Sequence, residues 1–490
     1  MGSGPAAYDR TKVKTDALRL EIEAPAWEAA GNPLRREAVA LLRTQAQDRQ
    51  RMPFAGFDER YPQKEGILTG PSTLNHRERM LATLRGRPTD QIPWAPRMDL
   101  WYIALRERNH LPPEFVGLNT AQIADVLDVA CHAVRADYTQ PRDPNHLALR
   151  GFGIENHPDY PYRVELRNLP IHFASDGQSF STRIKTTTRE VETLLSTTSD
   201  MRRSGISIPF VKLFPVRTLD DLEAVGQVFE NLEVVPTPDA YVRFWERIGH
   251  RGLAVASGPN GASPMHLILH DLMPMEQFFY WYVDERGALE RLASRMQPFF
   301  NAILEAVAAC AAEVVFWGAN YDQDLTPPSF FRREILPWLL KAGDRLRAAG
   351  KFLLTHTDGE NRYLLPLYPA CQIDVAESVC PSPMTSCTLA EVRAGMGPQT
   401  TVWGGIPSVA LLDSAMDEAM FEAYMDQLFN ELGGADHLIL GVSDNVPPDA
   451  NLSRLRRIQQ WLTAYGPVSP GPSSKYTGVK IGTPSDQPIL

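Results

Sequence analysis

Residues 351–382 read KFLLTHTDGENRYLLPLYPACQIDVAESVCPS, and their pattern limits the fold more than any other stretch. Two short, mostly apolar runs, 352–355 and 373–376, each have the length of a buried strand, and Asp374 interrupts the second. Each run stops at ionisable residues: His356 and Asp358 after the first, Glu377 and then Cys380 after the second. Between them, residues 362–368 carry the apolar spacing of a short helix, which Pro366 limits. A strand, a helix and a second strand with reactive groups at both strand ends is the βαβ unit of a parallel sheet. The working face of such a sheet lies at the carboxyl ends of its strands.

The rest of the chain repeats this unit. Seven core strands are expected, starting at Ile92, Leu253, Val314, Phe352, Ile373, Thr400 and His437. Helical patterns separate them, among them 77–85, 120–130, 218–229, 239–249, 289–311, 417–432 and 452–464. Asn75 followed three residues later by Glu78 is a helix-capping arrangement and marks the start of the core. Residues 150–205 interrupt the rhythm with alternating, β-branched runs and an Asp176-Gly177 turn, an inserted antiparallel β element. The eighth strand is expected at 207–213 or within this insert. Eight such units predict an α/β fold, a (β/α)8 TIM barrel, over 75–467. It carries an N-terminal helical extension and arm over 1–74 and an irregular tail over 468–490. An open doubly wound sheet is the competing architecture, but no GxGxxG or GxxxxGK[ST] motif supports its nucleotide-binding versions.

The formal net charge of −10 offers no global attraction to nucleic acid or an anionic membrane. No run approaches the roughly 18 uninterrupted apolar residues of a membrane span. The N-terminal MGSGPAAYDR has no apolar signal-peptide core, so a cytoplasmic location is the expectation. The five cysteines are odd in number and never in CxxC spacing, which argues against a disulfide framework and a Cys-rich structural zinc site. A catalytic metal stays open. The polar helical pattern over 16–52 suits a surface element, with contact in a homodimer as one use.

A barrel would bring Arg97, Asp99, Asn320, Asp322, His356, Asp358, Glu377, Cys380, Ser443 and Asp444 to one mouth. So many carboxylates repel one another unless a cation, a cationic substrate or a protonated carboxyl relieves them. A Zn²⁺ ion held by His356 with Asp358, Glu377, Cys380 or Asp444 is one solution. The plainer reading makes several of these carboxylates helix caps or partners of Arg97, Arg362 or Lys351. Trp101 and Tyr102 in LWYIA form either a pocket wall or core. Cys131-His132 stands at a helix end with no visible partner. His266 and His270, four apart on a helix, lack the Glu of HExxH.

Five pieces in order, NHRERMLATLRGRPTDQIPWAPR, SGPNGASPMHLILHDLMPMEQFFYWYVD, AAGKFLLTHTDGENRYLLPL, TVWGGIPS and LILGVSDNVPPDA, make residues 75–467 resemble the uroporphyrinogen decarboxylase superfamily. That superfamily also contains the corrinoid-linked methyltransferases. The resemblance implies a TIM barrel with its active site at the strand ends. The porphyrin branch is similar within itself in an RQAGRYLPEY segment, where this chain reads PRMDLWYIA. In the methyltransferase branch a His-x-Cys pair and a distant Cys hold zinc. His356 matches that His, Asp358 stands at the first Cys, and Asp444 lies near the second. The resemblance then implies an oxygen-rich site better matched to an alkoxide, water or amine than to a thiolate.

The expected function is transfer of a methyl group from a small methoxy or methylamine compound to a corrinoid carried by a separate protein. The catalytic set is His356, Asp358, Glu377 and Asp322, and the metal set is His356, Asp358, Glu377 and Asp444. Arg97, Asp99, Asn320, Trp101 and Tyr102 are the substrate-binding set. The alternatives are a metal-free decarboxylase that binds a carboxylate through Arg97 and a non-catalytic ligand-binding barrel.

Overall fold

The computed structural model describes residues 73–140 and 143–469. Nearly all of the expected N-terminal extension and C-terminal tail therefore lies outside the described residues. The first described helix, His76–Leu84, opens on the expected capping box. Asn75 accepts from the Glu78 amide at 2.9 Å, and Glu78 accepts in return from the Asn75 amide at 3.1 Å. Met80, Leu81 and Leu84 on this helix pack with Ala95, Leu354, Val375, Trp403 and Ile439 in one buried cluster.

The insert comes next in the chain and is longer than expected. Strand β1 (Tyr162–Leu166) pairs antiparallel with β6 (Leu232–Pro236). Strands β2 (Ile171–Ser175), β3 (Ser179–Lys185), β4 (Glu190–Ser196) and β5 (Phe210–Leu213) form a four-stranded antiparallel sheet. The β2–β3 turn follows from its sequence: Asp176 accepts from the amides of Gln178 and Ser179, at 2.9 and 2.6 Å.

A six-stranded parallel sheet follows in the order β12-β11-β10-β9-β8-β7. Its members are β7 (Ala256–Ser257), β8 (Val314–Phe316), β9 (Phe352–His356), β10 (Val375–Val379), β11 (Thr401–Pro407) and β12 (Leu438–Ser443). Strands β8, β10, β11 and β12 are buried along their whole length, which is why they read as apolar runs rather than alternating ones. Backbone pairing continues beyond this sheet. Ala95 donates to the Leu440 carbonyl at 2.8 Å, and Leu440 donates to Pro93 at 2.9 Å. Ala130 donates to Trp94, Cys131 to Arg251 and Val255 to Ala133, at 2.8, 2.8 and 3.0 Å.

The eighth strand-like stretch is therefore 130–133, and not 207–213, whose β5 belongs to the insert sheet. The preceding helix, Thr120–Leu127, ends earlier than its pattern predicts because Asp128 turns left-handed (φ 52°). An aspartate performs here the chain reversal that a glycine would have advertised. Among the described residues, no helix is long and apolar enough to cross a membrane.

Register places the ionisable strand ends on one face. Glu377 of β10 lies beside His356 of β9 and Trp403 of β11, two residues beyond the apolar pair Val375 and Leu354. A bulge follows at Ser378 (φ 64°), and beside it Gly404 (φ 142°) approaches β10 closely. A Cβ on Gly404 would sit 2.6 Å from the Val379 carbonyl oxygen and 2.7 Å from its nitrogen. Gly404→Ala is expected to destabilise the fold by ~3 kcal/mol through backbone strain and overpacking. Urea denaturation checks this, and an unchanged midpoint would show that β11 and the bulge are not held this closely.

Candidate active site

A buried carboxylate at the ends of the strands organises the candidate site. Glu377 carries a side chain only 2% exposed, and each of its oxygens meets a histidine. His356 Nδ1 lies 2.5 Å from Oε2, and His132 Nε2 lies 3.0 Å from Oε1. His132 stands edge-on to Trp403 with ring centroids 5.0 Å apart, which fixes its plane. The other nitrogen of His356, Nε2, faces Asp358 Oδ2 and Asp444 Oδ1, each at 3.7 Å. Those distances exceed a hydrogen bond. Arg97 completes the cluster, with Nη1 3.0 Å from Asp444 and Nε 3.2 Å from Asp99. Ser378, presented by the bulge, donates to the same Asp444 oxygen at 3.2 Å.

Exposure rises outward through this cluster. The His356 side chain is 9% exposed, Asp358 34% and Asp444 43%. Water or a substrate therefore reaches His356 from the Asp358 and Asp444 side, while Glu377 stays sealed behind it.

The electrostatics follow from the same arrangement. Burial alone would depress the basicity of His356, but the charges of Glu377 and Asp358 overcome it and carry the pKa up to about 10. Burial would raise Glu377, yet the His356 charge and the hydrogen bonds from both histidines hold it well below the usual carboxylate range. Asp444 is also lowered: burial opposes this, and Arg97 and His356 prevail. At neutral pH, His356 is thus an imidazolium. One of its protons is given to Glu377, and the other, on Nε2, is directed at the mouth. Cys380 is the opposite case: burial, with Asp358 and Asp444 nearby, pushes its thiol up to about 12.

The remaining expected residues have other tasks. Asn320 donates its backbone N–H to the His356 carbonyl at 3.1 Å, while its side-chain amide meets His270 Nε2 at 2.7 Å. His270 in turn bonds Asp271, which Arg150 holds at 2.8 Å. Asp322 fastens a loop by accepting from the amides of Asp324 and Glu360, at 2.8 and 2.9 Å. Trp101 is 1% exposed and packs edge-on against Phe115, and Tyr102 lies under Arg106, so both are core. His266 and His270 do not chelate together, because the first accepts from the Ala262 amide and the second is bound as above.

His132 is the residue that the sequence pattern concealed. The alternation in 129–134 places it on the face shared by Ala130 and Val134, but the helical reading through 130 hid that strand.

The four residues expected to hold zinc, His356, Asp358, Glu377 and Asp444, come together here, and several of their donor atoms are partnered within the protein. Among the described residues, no three His, Cys, Asp or Glu side chains are placed to hold a metal. Both Glu377 oxygens are occupied by histidines, and Asp444 Oδ1 accepts from Arg97 and Ser378. Asp358 Oδ1 is buried and without a hydrogen-bond partner. The cations that balance these carboxylates are His356 and Arg97 themselves.

Removing the Glu377 charge should release His356. In Glu377→Gln, histidine NMR titration is expected to show the His356 pKa falling from about 10 toward the ordinary value of about 6.5. Because the folded pKa is raised, the stabilisation is complete below about pH 6.5 and is lost as pH rises through about 10. Wild-type thermal stability should decline across that window, and the variant should lack this decline. A wild-type His356 that titrates near its ordinary value would contradict the assignment.

No protein-family model and no curated protein matches the chain. Among solved structures, it is similar to a methyltransferase from Methanosarcina mazei, with a TM-score of 0.42 and 15% identity. That alignment covers 79% of this chain and 98% of the other.

Proposed function

We propose that the parallel strands close into a (β/α)8 barrel and that its mouth releases a methyl group from oxygen in a small methoxy compound. The hydrogen bonds from β12 through 93–95, 130–133 and 251–255 support closure, since they join the two outer strands of the six-stranded sheet. The placement of His356, with Nδ1 on Glu377 and Nε2 facing the opening, is the observation that carries the reaction. The Nε2 proton is held there by a sealed carboxylate and directed at a partly exposed, acid-lined opening.

Breaking a carbon–oxygen bond leaves an electron pair on an oxygen that is a poor leaving group until it is protonated. The 3.7 Å gaps between Nε2 and the two aspartates leave that proton available to a substrate oxygen. Against the effect of burial, the charges of Glu377 and Asp358 raise the His356 pKa and so keep that proton in place at neutral pH. Glu377 stabilises the imidazolium and fixes its plane, and His132 holds Glu377. Asp358 and Asp444 line the opening through which water returns a proton to Nε2 after each turnover. A reduced corrinoid on a partner protein supplies the nucleophile that accepts the methyl group.

The resemblance of residues 75–467 to the branch containing corrinoid-linked methyltransferases supports this reading. The decarboxylase alternative is less well supported, because Arg97 directs Nε and Nη1 to Asp99 and Asp444 rather than outward.

The test is release of phenol from methoxybenzene supplied with free cob(I)alamin. His356→Gln is expected to slow release by ~10²–10⁴-fold, the usual range for losing a general acid. The loss should shrink for a methoxynitrobenzene, whose leaving oxygen needs little protonation. Equal slowing for both substrates would count against proton donation. Absence of release by the wild type would remove the reaction itself.

A further inference from the structure

A cavity of about 300 Å³ adjoins the cluster and shares Asp99 and His132 with it. Its wall also includes Arg135, Asp137, Arg247 and Arg251. The three guanidinium groups are not equivalent. Arg247 pairs with Asp159 at 2.6 Å, and Arg251 pairs with Asp125 at 2.8 Å. Arg135 has no carboxylate within ion-pairing distance among the described residues. It donates from Nη1 to the neutral Asn260 side chain at 2.7 Å and lies 3.8 Å from the centre of the Phe316 ring. Asp137 does not answer it, because its Oδ1 accepts from the amide and hydroxyl of Thr139, at 2.9 and 2.5 Å. A half-buried cation is thus held flat between an aromatic face and an amide, with N–H groups left to donate.

We propose that this cavity is a binding site for a small carboxylate and that Arg135 is the residue that selects it. The planar fork of a guanidinium matches the two oxygens of a carboxylate, and a partly buried position strengthens the attraction. His132 links this cavity to the candidate site. It lines the cavity, and it reaches His356 through Glu377 by contacts of 3.0 and 2.5 Å. An anion bound there would lie on the His132 side of Glu377, away from the opening that His356 Nε2 faces. Arg97, the cation expected from the sequence to bind a carboxylate, is already engaged by Asp99 and Asp444.

The anion subsite is independent of the function proposed above and is tested by binding alone. Isothermal titration of the full chain would compare 4-methoxybenzoate with uncharged methoxybenzene in the wild type, Arg135→Gln and Arg135→Lys. The wild type is expected to bind the carboxylate at least about tenfold more tightly, the scale of one charge-assisted pair. Arg135→Gln should abolish that preference and leave methoxybenzene binding unchanged, while Arg135→Lys restores part of it. A wild type without the preference, or a preference that survives in Arg135→Gln, would overturn the proposal. So would equal weakening of both ligands in both variants, since that marks a structural role.

Discussion

A single buried carboxylate between two histidines sets the chemistry of this chain. Glu377 is sealed from solvent and would be costly there as a lone charge, because burial penalises an ion that lacks partners. Its two oxygens are instead taken by His356 and His132. One consequence is structural: strands β9 and β10, already paired through their backbones, are tied by side chains to the stretch 130–133. The other is electrostatic, since a carboxylate that cannot be protonated keeps His356 protonated. Behind His356 the site is closed, and in front of it Asp358 and Asp444 meet solvent. The proton therefore has one direction in which to leave.

The geometry also shows which protein cations stand among the carboxylates of this acid-rich mouth. Repulsion among the strand-end carboxylates is relieved by Arg97, which bridges Asp99 and Asp444, and by the imidazolium of His356. The bulge at Ser378 contributes by turning a hydroxyl toward Asp444. The oxygen-rich set expected from the sequence is gathered around two protein cations, His356 and Arg97.

Much of the architecture was legible in the sequence because buried parallel strands are short apolar runs with abrupt polar ends. Strands β8 to β12 begin within two residues of their expected starts. His356, Asp358, Glu377 and Asp444 were legible for the same reason, since each directly follows or ends such a run. What was hidden depended on local geometry that composition does not encode. Asp128 in a left-handed conformation ended a helix early and concealed the stretch carrying His132. β6 lay beyond the expected edge of the insert because its partner, β1, is nearly seventy residues away. Trp101 and Tyr102 were assigned to substrate binding although both are buried, because helical spacing does not tell a pocket wall from core. The state of charge of His356 depends on three-dimensional neighbours and has no signature in the chain order.

The pH dependence of methyl release tests the central claim most directly, because it reports the protonation state of the group that acts. With His356 as the proton donor held by Glu377, the rate should stay level from about pH 7 to 9. It should then fall as pH rises through the His356 pKa of about 10. In Glu377→Gln the fall should begin near the ordinary histidine value of about 6.5. A wild-type rate that climbs with pH toward 10, as a catalytic base would produce, would contradict the account.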